Sequence, residues 1–430
     1  MMGSRWPSVA RAMRGAMGMG RGAVEKSITV STALRAVPDG ARAAGGMFGV
    51  PMCGARGLAG SVALGQGEVR GEGGDRTSSG GATEETRAML RSARGQEEVE
   101  KVLEAARPSS PLLLTLIKDA GDMFDPQDEK KLDWLMAWTK KQTKVTVAQR
   151  NAFITQLGRR MRGEEAFDIY DRMKQAGLKP TFMTYNAMID ACAKSGGQWE
   201  RAKATFEEMK AARVQPTVVT YNALITAFEK GKQWEQAEQM FEEMKAAGVK
   251  PTFITYNALI SAYASGREWR QAKATFEEMT AAGLKPTIIT YNALINAYGK
   301  GGRWEQAKAA FEATKAAKMR PNVITFSSLI SAYGRGRQWE AAEQVLEEMK
   351  AAGVKPNFIS YNALISAYGA GWQWERASAA FEEMKAAGVQ PTVITYAHLI
   401  KAYETGKQWE RAKAAVEEMK AAGMEPIAFT

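Results

Sequence analysis

One stretch of text, 35 residues long, returns until the chain ends. Val218 to Thr252 reads VVTYNALITAFEKGKQWEQAEQMFEEMKAAGVKPT, and Phe253 to Thr287 restates it as FITYNALISAYASGREWRQAKATFEEMTAAGLKPT. Pro216, Pro251, Pro286, Pro321, Pro356, Pro391 and Pro426 each stand 35 residues after the last. Pro180 precedes Pro216 by 36, so one unit carries an inserted residue near Lys194 to Gly197. A further unit, Val147 to Thr181, fits in weaker form, which makes eight units over residues 147–427. Such a period marks a solenoid, because each unit is a small motif that packs only on its neighbours.

Length alone, 430 residues, would suggest two or three globular domains, and the repeat overrules that expectation. Cys53 and Cys192 are too few for a disulfide framework and fit a reducing interior. The single histidine, His398, gives no basis for a histidine-based metal or acid–base site. No apolar run reaches the ~18 residues that a membrane helix needs. The net charge of +11 is unevenly placed: residues 1–67 hold eight Lys/Arg against two Asp/Glu, and residues 151–430 hold 36 against 30. The array is only mildly basic, so charge by itself does not establish nucleic acid as a ligand.

Residues 1–67 are rich in Arg, Ala, Gly and Met, with Trp6, Val9, Met13 and Met17 spaced for one helical face between Arg5, Arg11, Arg14 and Arg21. That composition is expected of a cleaved organelle transit peptide, of mitochondrial type by its early arginines, with a plastid as the alternative. Residues 68–82 read as a flexible linker of Gly, Ser and mixed charge. Residues 83–146 read as a degenerate helical cap on the array, since one face of a terminal repeat must meet water. Residues 428–430 are a tail.

Within a unit, Tyr221, Leu224, Ile225 and Phe228 recur at helical spacing, and Trp234, Ala237, Phe241 and Met244 form a second such stripe. Gly231 is expected to end the first helix by tolerating positive φ, and Pro251 bars continuation of the second. The result is an all-α chain of about eight helix-turn-helix hairpins. Tryptophan recurs at Trp199, Trp234, Trp269, Trp304, Trp339, Trp374 and Trp409. A tryptophan row can be a stacking platform for bases. Its place, three residues before a small Ala237, favours a wedge between the two helices of one hairpin.

Polar positions that packing does not explain are more telling. The fifth residue of each unit is Asn151, Asn186, Asn222, Asn257, Asn292, Ser327, Asn362 or Ala397. An Asn inside a helix has poor propensity and no cap to serve, so it must meet something. An amide carries donors and an acceptor, which suits the edge of a nucleobase. Alternatively, the amides form a ladder between adjacent first helices.

The 35-residue period, the V-V/I-T-Y-N-A-L-I opening, the G-x-x-E-x-A middle and the closing G-V-K-P resemble the pentatricopeptide repeat family, in its plain class of uniform 35-residue units. The tetratricopeptide repeat, by contrast, has a 34-residue period. The resemblance implies a right-handed superhelix that binds single-stranded RNA, one base per unit. It also implies that the fifth and last residues touch the base edge while the second residue sandwiches the base. On this sequence the pairs are Asn151 with Thr181, Asn186 with Thr217, Asn222 with Thr252, Asn257 with Thr287, Asn292 with Asn322, Ser327 with Asn357, and Asn362 with Thr392. Ala397 and Ile427 keep no polar reading group. Second positions are Ala148, Met183, Val219, Ile254, Ile289, Ile324, Ile359 and Ile394. The family's preferences imply a pyrimidine-rich target with one purine opposite Ser327, 5′-YYYYYAY-3′. Thr at five of the last positions departs from the family's best-defined pairs and leaves U and C undistinguished.

No phosphate loop, nucleophile motif or metal-ligand spacing occurs, so the expectation is a binder without catalytic residues, cofactor or metal. Its role would be RNA stabilisation, processing or translation. The competing expectation is a helical scaffold within a larger organellar assembly, such as a ribosome or membrane complex. The apolar end of the last unit is expected to dock on a protein partner or to self-associate.

Overall fold

A computed structural model describes residues 78–424, apart from 107, 125–128, 142–144 and 197. The expected transit peptide at 1–67, Ile427 and the tail at 428–430 lie outside the described residues. The structure is an all-α repeat solenoid of twenty described helices. The first body, which ends at Pro216, contains α1 (Ser78–Ser92), α2 (Gln96–Ala106), α3 (Ser110–Met123), α4 (Glu129–Lys141), α5 (Val147–Arg159), α6 (Gly163–Gln175), α7 (Phe182–Lys194) and α8 (Trp199–Ala211). The second, from Thr217, contains α9 (Val218–Gly231), α10 (Trp234–Ala246), α11 (Phe253–Gly266), α12 (Trp269–Ala281), α13 (Ile288–Lys300) and α14 (Trp304–Ala316). It continues with α15 (Val323–Arg335), α16 (Trp339–Ala351), α17 (Phe358–Ala370), α18 (Trp374–Ala386), α19 (Val393–Thr405) and α20 (Trp409–Ala421). Helix α1 starts at Ser78, inside the stretch read as linker over 68–82, because a helix once nucleated gains a hydrogen bond for each residue it adds.

From α5 onward every unit is one hairpin, and its ends are written in its residues. Each first helix of the second body is capped by the last residue of the preceding unit. Thr252, for instance, has φ −113° and ψ 171°, and its N–H donates to Thr255 Oγ1 at 2.9 Å. Each second helix closes on a left-handed residue such as Gly248 (φ 71°), with the Val249 N–H returning to the Met244 carbonyl at 3.0 Å. The inserted residue of the 36-residue unit falls in the turn between α7 and α8, where it disturbs neither helix.

Tyr221, Leu224, Ile225, Phe228, Ala237, Phe241 and Met244 are buried, as their spacing requires. In the first body one apolar cluster runs from Leu90 to Met209, and in the second another runs from Leu294 to Met419. Aromatic pairs join one unit to the next: Phe241 meets Tyr256 at 5.4 Å between ring centroids, and Phe381 meets Tyr396 at 5.3 Å.

Two expectations are corrected here. The tryptophans from Trp234 to Trp374 are not confined to their own hairpin, for each of these packs forward onto the first helix of the following unit. Trp234 meets Tyr263 at 6.0 Å, Trp269 meets Tyr298 at 6.3 Å, and Trp304 meets Tyr333 at 5.8 Å. Trp409, in the last unit, is 42% exposed. Nor does Gly231 supply the left-handed turn, since it is still helical and Lys232 carries φ 58°. Glycine at this place has a different cause: a Cβ on Gly301 would stand 2.6 Å from Trp269 Cδ1. The glycine is the floor of the tryptophan's socket.

Candidate functional site

Side chains at the second, fifth, sixth, ninth and thirteenth places of a first helix fall on one face, because they are separated by three or four residues. The second place is a row of large apolar side chains left open to water. Val219, Ile254, Ile289, Ile324, Ile359 and Ile394 in the second body are between 42% and 61% exposed. In the first body Met183 is exposed to a similar degree, and Ala148 is also exposed. Branched aliphatics normally leave water, so a repeated exposed row marks a contact surface rather than a failed core.

The fifth-place side chains sink into the seam beside this row. Asn257, Asn292, Ser327 and Asn362 are buried, while Asn151, Asn186 and Asn222 are half-buried. Asn222 Oδ1 accepts a 2.6 Å hydrogen bond from Thr255 Oγ1, on the first helix of the next unit. Ser327 Oγ lies 2.8 Å from Ser360 Oγ in the same relation, and Asn292 Nδ2 donates to Asn322 Oδ1 at 3.4 Å. The ladder alternative is thus present in part. It is incomplete, because the amide oxygens of Asn151, Asn257, Asn292 and Asn362 are buried without a partner. A buried polar atom left unsatisfied is costly, and it needs a reason.

The last residue of each unit has a task that the sequence reading overlooked. Thr181, Thr217, Thr252, Thr287, Asn322, Asn357 and Thr392 are N-caps, each paired reciprocally with the third residue of the following helix. Those third residues, Thr184, Thr220, Thr255, Thr290, Thr325, Ser360 and Thr395, are fully buried. The T-x-x-T spacing was visible, since a polar residue three places after an N-cap is the mark of a capping box. Asn357 Oδ1 accepts from Ile359 N, Ser360 N and Ser360 Oγ, which leaves its amide nitrogen as the group still able to donate. The cap also links a unit's fifth and last residues: Asn222 reaches Thr252 through Thr255, Asn292 reaches Asn322 directly, and Ser327 reaches Asn357 through Ser360. In the eighth unit the side chain of Ala397 has no polar atom. The adjacent His398 has an unpartnered buried Nδ1, and burial pushes its pKa down to about 4.

Charge separates the two layers of helices. Lysines near the ends of second helices pair with glutamates of the next unit, as in Lys350–Glu383 at 2.7 Å and Lys315–Glu348 at 3.1 Å. Cations at the ends of first helices are differently placed. Burial and the nearby Arg335 and Arg267 hold Lys300 below the usual lysine range, with Glu229 opposing. Desolvation and Arg267 likewise lower Arg335, and burial and Lys300 lower Lys232. Cations that crowd one another in this way form a site short of negative charge.

Among the described residues no group of three or more His, Cys, Asp or Glu could hold a metal ion, and no helix is long and apolar enough to cross a membrane. Burial pushes the Cys192 thiol up to about 12, so it stays protonated. Cys53 lies outside the described residues.

Comparison with solved structures places the pentatricopeptide repeat protein PPR10, in complex with an 18-nt psaJ RNA element, at TM-score 0.64 and 25% identity, over 78% of this chain and 50% of that one. A variant of the same protein with the same element gives the same values. PPR10 from maize is 23% identical with TM-score 0.41, over 80% of this chain and 59% of that one. This chain therefore spans about half the length of the first two. No curated protein shows significant sequence similarity to it. The pentatricopeptide repeat domain family matches residues 193–231, 205–266, 239–301 and 309–371. The PPR repeat family matches 146–194 and 357–405, and the PPR repeat matches 289–315 and 394–424. Joined without a gap from residue 146 to 424, these matches establish that the chain belongs to the pentatricopeptide repeat family.

Proposed function

We propose that the chain binds single-stranded RNA sequence-selectively in an organelle, one base per unit, and so stabilises, processes or helps translate a transcript. The exposed aliphatic row carries this reading. Two such side chains from successive first helices can hold a base between them, beside a fifth-place amide that meets its edge. Similarity to a protein seen in complex with RNA supports it. The basic leader over residues 1–67 supports a mitochondrial site of action, with a plastid as the alternative. Binding, not catalysis, is the activity.

Base choice rests on the fifth residue together with the last one, which caps the next helix and meets the base edge beside it. The expected target is 5′-YYYYYAY-3′. Asn257→Ala removes one amide and is expected to cut the preference for a pyrimidine at that nucleotide by about 1 kcal/mol, at the lower end of single-contact values. Titration of fluorescent oligonucleotides measures it. Equal affinity of the unaltered protein for pyrimidine and purine strands would sink sequence reading.

The crowded cations fit phosphates. Replacing Lys300 and Arg335 together by Gln is expected to weaken binding to every sequence alike and to lower the slope of log affinity against log salt by about 1.4, at roughly 0.7 per phosphate. An unchanged slope would place the phosphates elsewhere. A stoichiometric protein complex that survives nuclease and high salt would favour the scaffold reading instead.

A further inference from the structure

The turn that follows each first helix places one residue in the left-handed region. In the second body that residue is Lys232 (φ 58°), Arg267 (65°), Gly302 (70°), Arg337 (58°), Trp372 (66°) and Lys407 (59°). Left-handed backbone suits glycine and strains a bulky side chain. Trp372 is also 70% exposed, the most open of the large apolar side chains described. Its indole takes no part in the joint between units, where Trp339 and Trp374 meet Tyr368 and Tyr403. Packing therefore gives no reason for a tryptophan here, and the backbone gives a reason against one.

Its surroundings say what could cover it. The equivalent turns of the units on either side carry Arg337 and Lys407, and Arg335 ends the preceding first helix two residues before Arg337. The seventh unit has Ala370 at the place that Lys300 and Arg335 occupy in the two units before it. This unit has thus exchanged cations for an aromatic plane inside a cationic rim. A flat apolar ring flanked by positive charge matches a nucleotide, which joins a flat base to an anionic phosphate.

On the reading of the chain as an RNA binder, we propose that Trp372 stacks on a nucleobase of the bound strand, a contact additional to those of the second- and fifth-place residues. The stack anchors one nucleotide without selecting its identity, because every base has a stackable face.

The test uses the full chain and a pyrimidine-rich oligonucleotide. Trp372→Gly copies the residue of the fifth unit, Gly302, and relieves the backbone, so the melting temperature is expected to stay level or rise. Affinity is expected to fall about 5- to 20-fold, and Trp372→Phe is expected to retain most of it. A scan of oligonucleotides, each with a single abasic nucleotide, locates the contact: the penalty of the glycine variant should vanish at one position only. Several results overturn the proposal while leaving RNA binding standing. These are equal affinity of the glycine variant and the unaltered protein, a penalty that persists at every abasic position, or a loss of protein association alone. Failure of the unaltered protein to bind any single-stranded RNA overturns the proposal and the RNA-binding reading together.

Discussion

Trp269→Ala is expected to lower the free energy of unfolding by about 2–4 kcal/mol, because a large, half-buried aromatic leaves a cavity at the joint between two units. The loss should also uncouple the units on either side, since a solenoid is cooperative only through its nearest-neighbour interfaces. The urea transition should therefore broaden or split as well as shift. Gly301→Ala approaches the same joint from the other side. Gly301 has φ −79°, which alanine adopts freely, so the cost, about 1–3 kcal/mol, comes from crowding the indole. With Trp269 already alanine, the added methyl has room, and the double variant should be no less stable than Trp269→Ala alone. Trp409→Ala is the control: this side chain is 42% exposed, and its loss should cost about 1 kcal/mol or less. Equal costs for Trp269→Ala and Trp409→Ala would remove the joint from the account of stability.

Replacing Ile254, Ile289 and Ile324 together by alanine is expected to weaken RNA binding by about 3–6 kcal/mol, at roughly 1–2 for each sandwiched base. The fold should scarcely notice. These side chains are 51%, 60% and 51% exposed, and alanine is the better helix former, which offsets the little packing that is lost. Affinity and thermal unfolding, measured on the same preparation, separate surface from core. If the triple variant unfolds but the protein that remains folded still binds with full affinity, the row is structural.

The hairpins were legible because proline spacing and helical stripes are local signals, each confined to a dozen residues. Which neighbour a side chain touches is not local. Trp234 and Ala237 share a helix, so their proximity in sequence suggested a wedge within the hairpin. The partner of Trp234 is Tyr263, and only the stacking of units reveals it. Gly231 was misread for a related reason: glycine marks either a left-handed turn or a close approach, and sequence does not say which. The capping role of Thr252 could have been found from Thr255 alone. Threonine is an uncommon third residue for such a box, where Glu or Gln is the usual partner, so the signal is weak. The exposure of Ile254 came only through the family resemblance, since by spacing alone an aliphatic on a helix is more often core than contact. The cation crowd at Lys232, Arg267, Lys300 and Arg335 required the register of the first helices of four successive units.

Every joint in the second body is directional. A tryptophan of one unit reaches forward, and a tyrosine and a glycine of the next unit receive it. A lysine reaches a glutamate in the same direction at every joint but one, where Thr280 and Ala313 replace them. Such an interface is heterologous and does not close on itself, so nothing in its geometry sets the number of units. Because neighbouring copies are nearly identical in text, unequal recombination between them would delete or add a whole 35-residue block and recreate the same joint at the seam. The array is in that sense a ruler whose length can change by one division at a time.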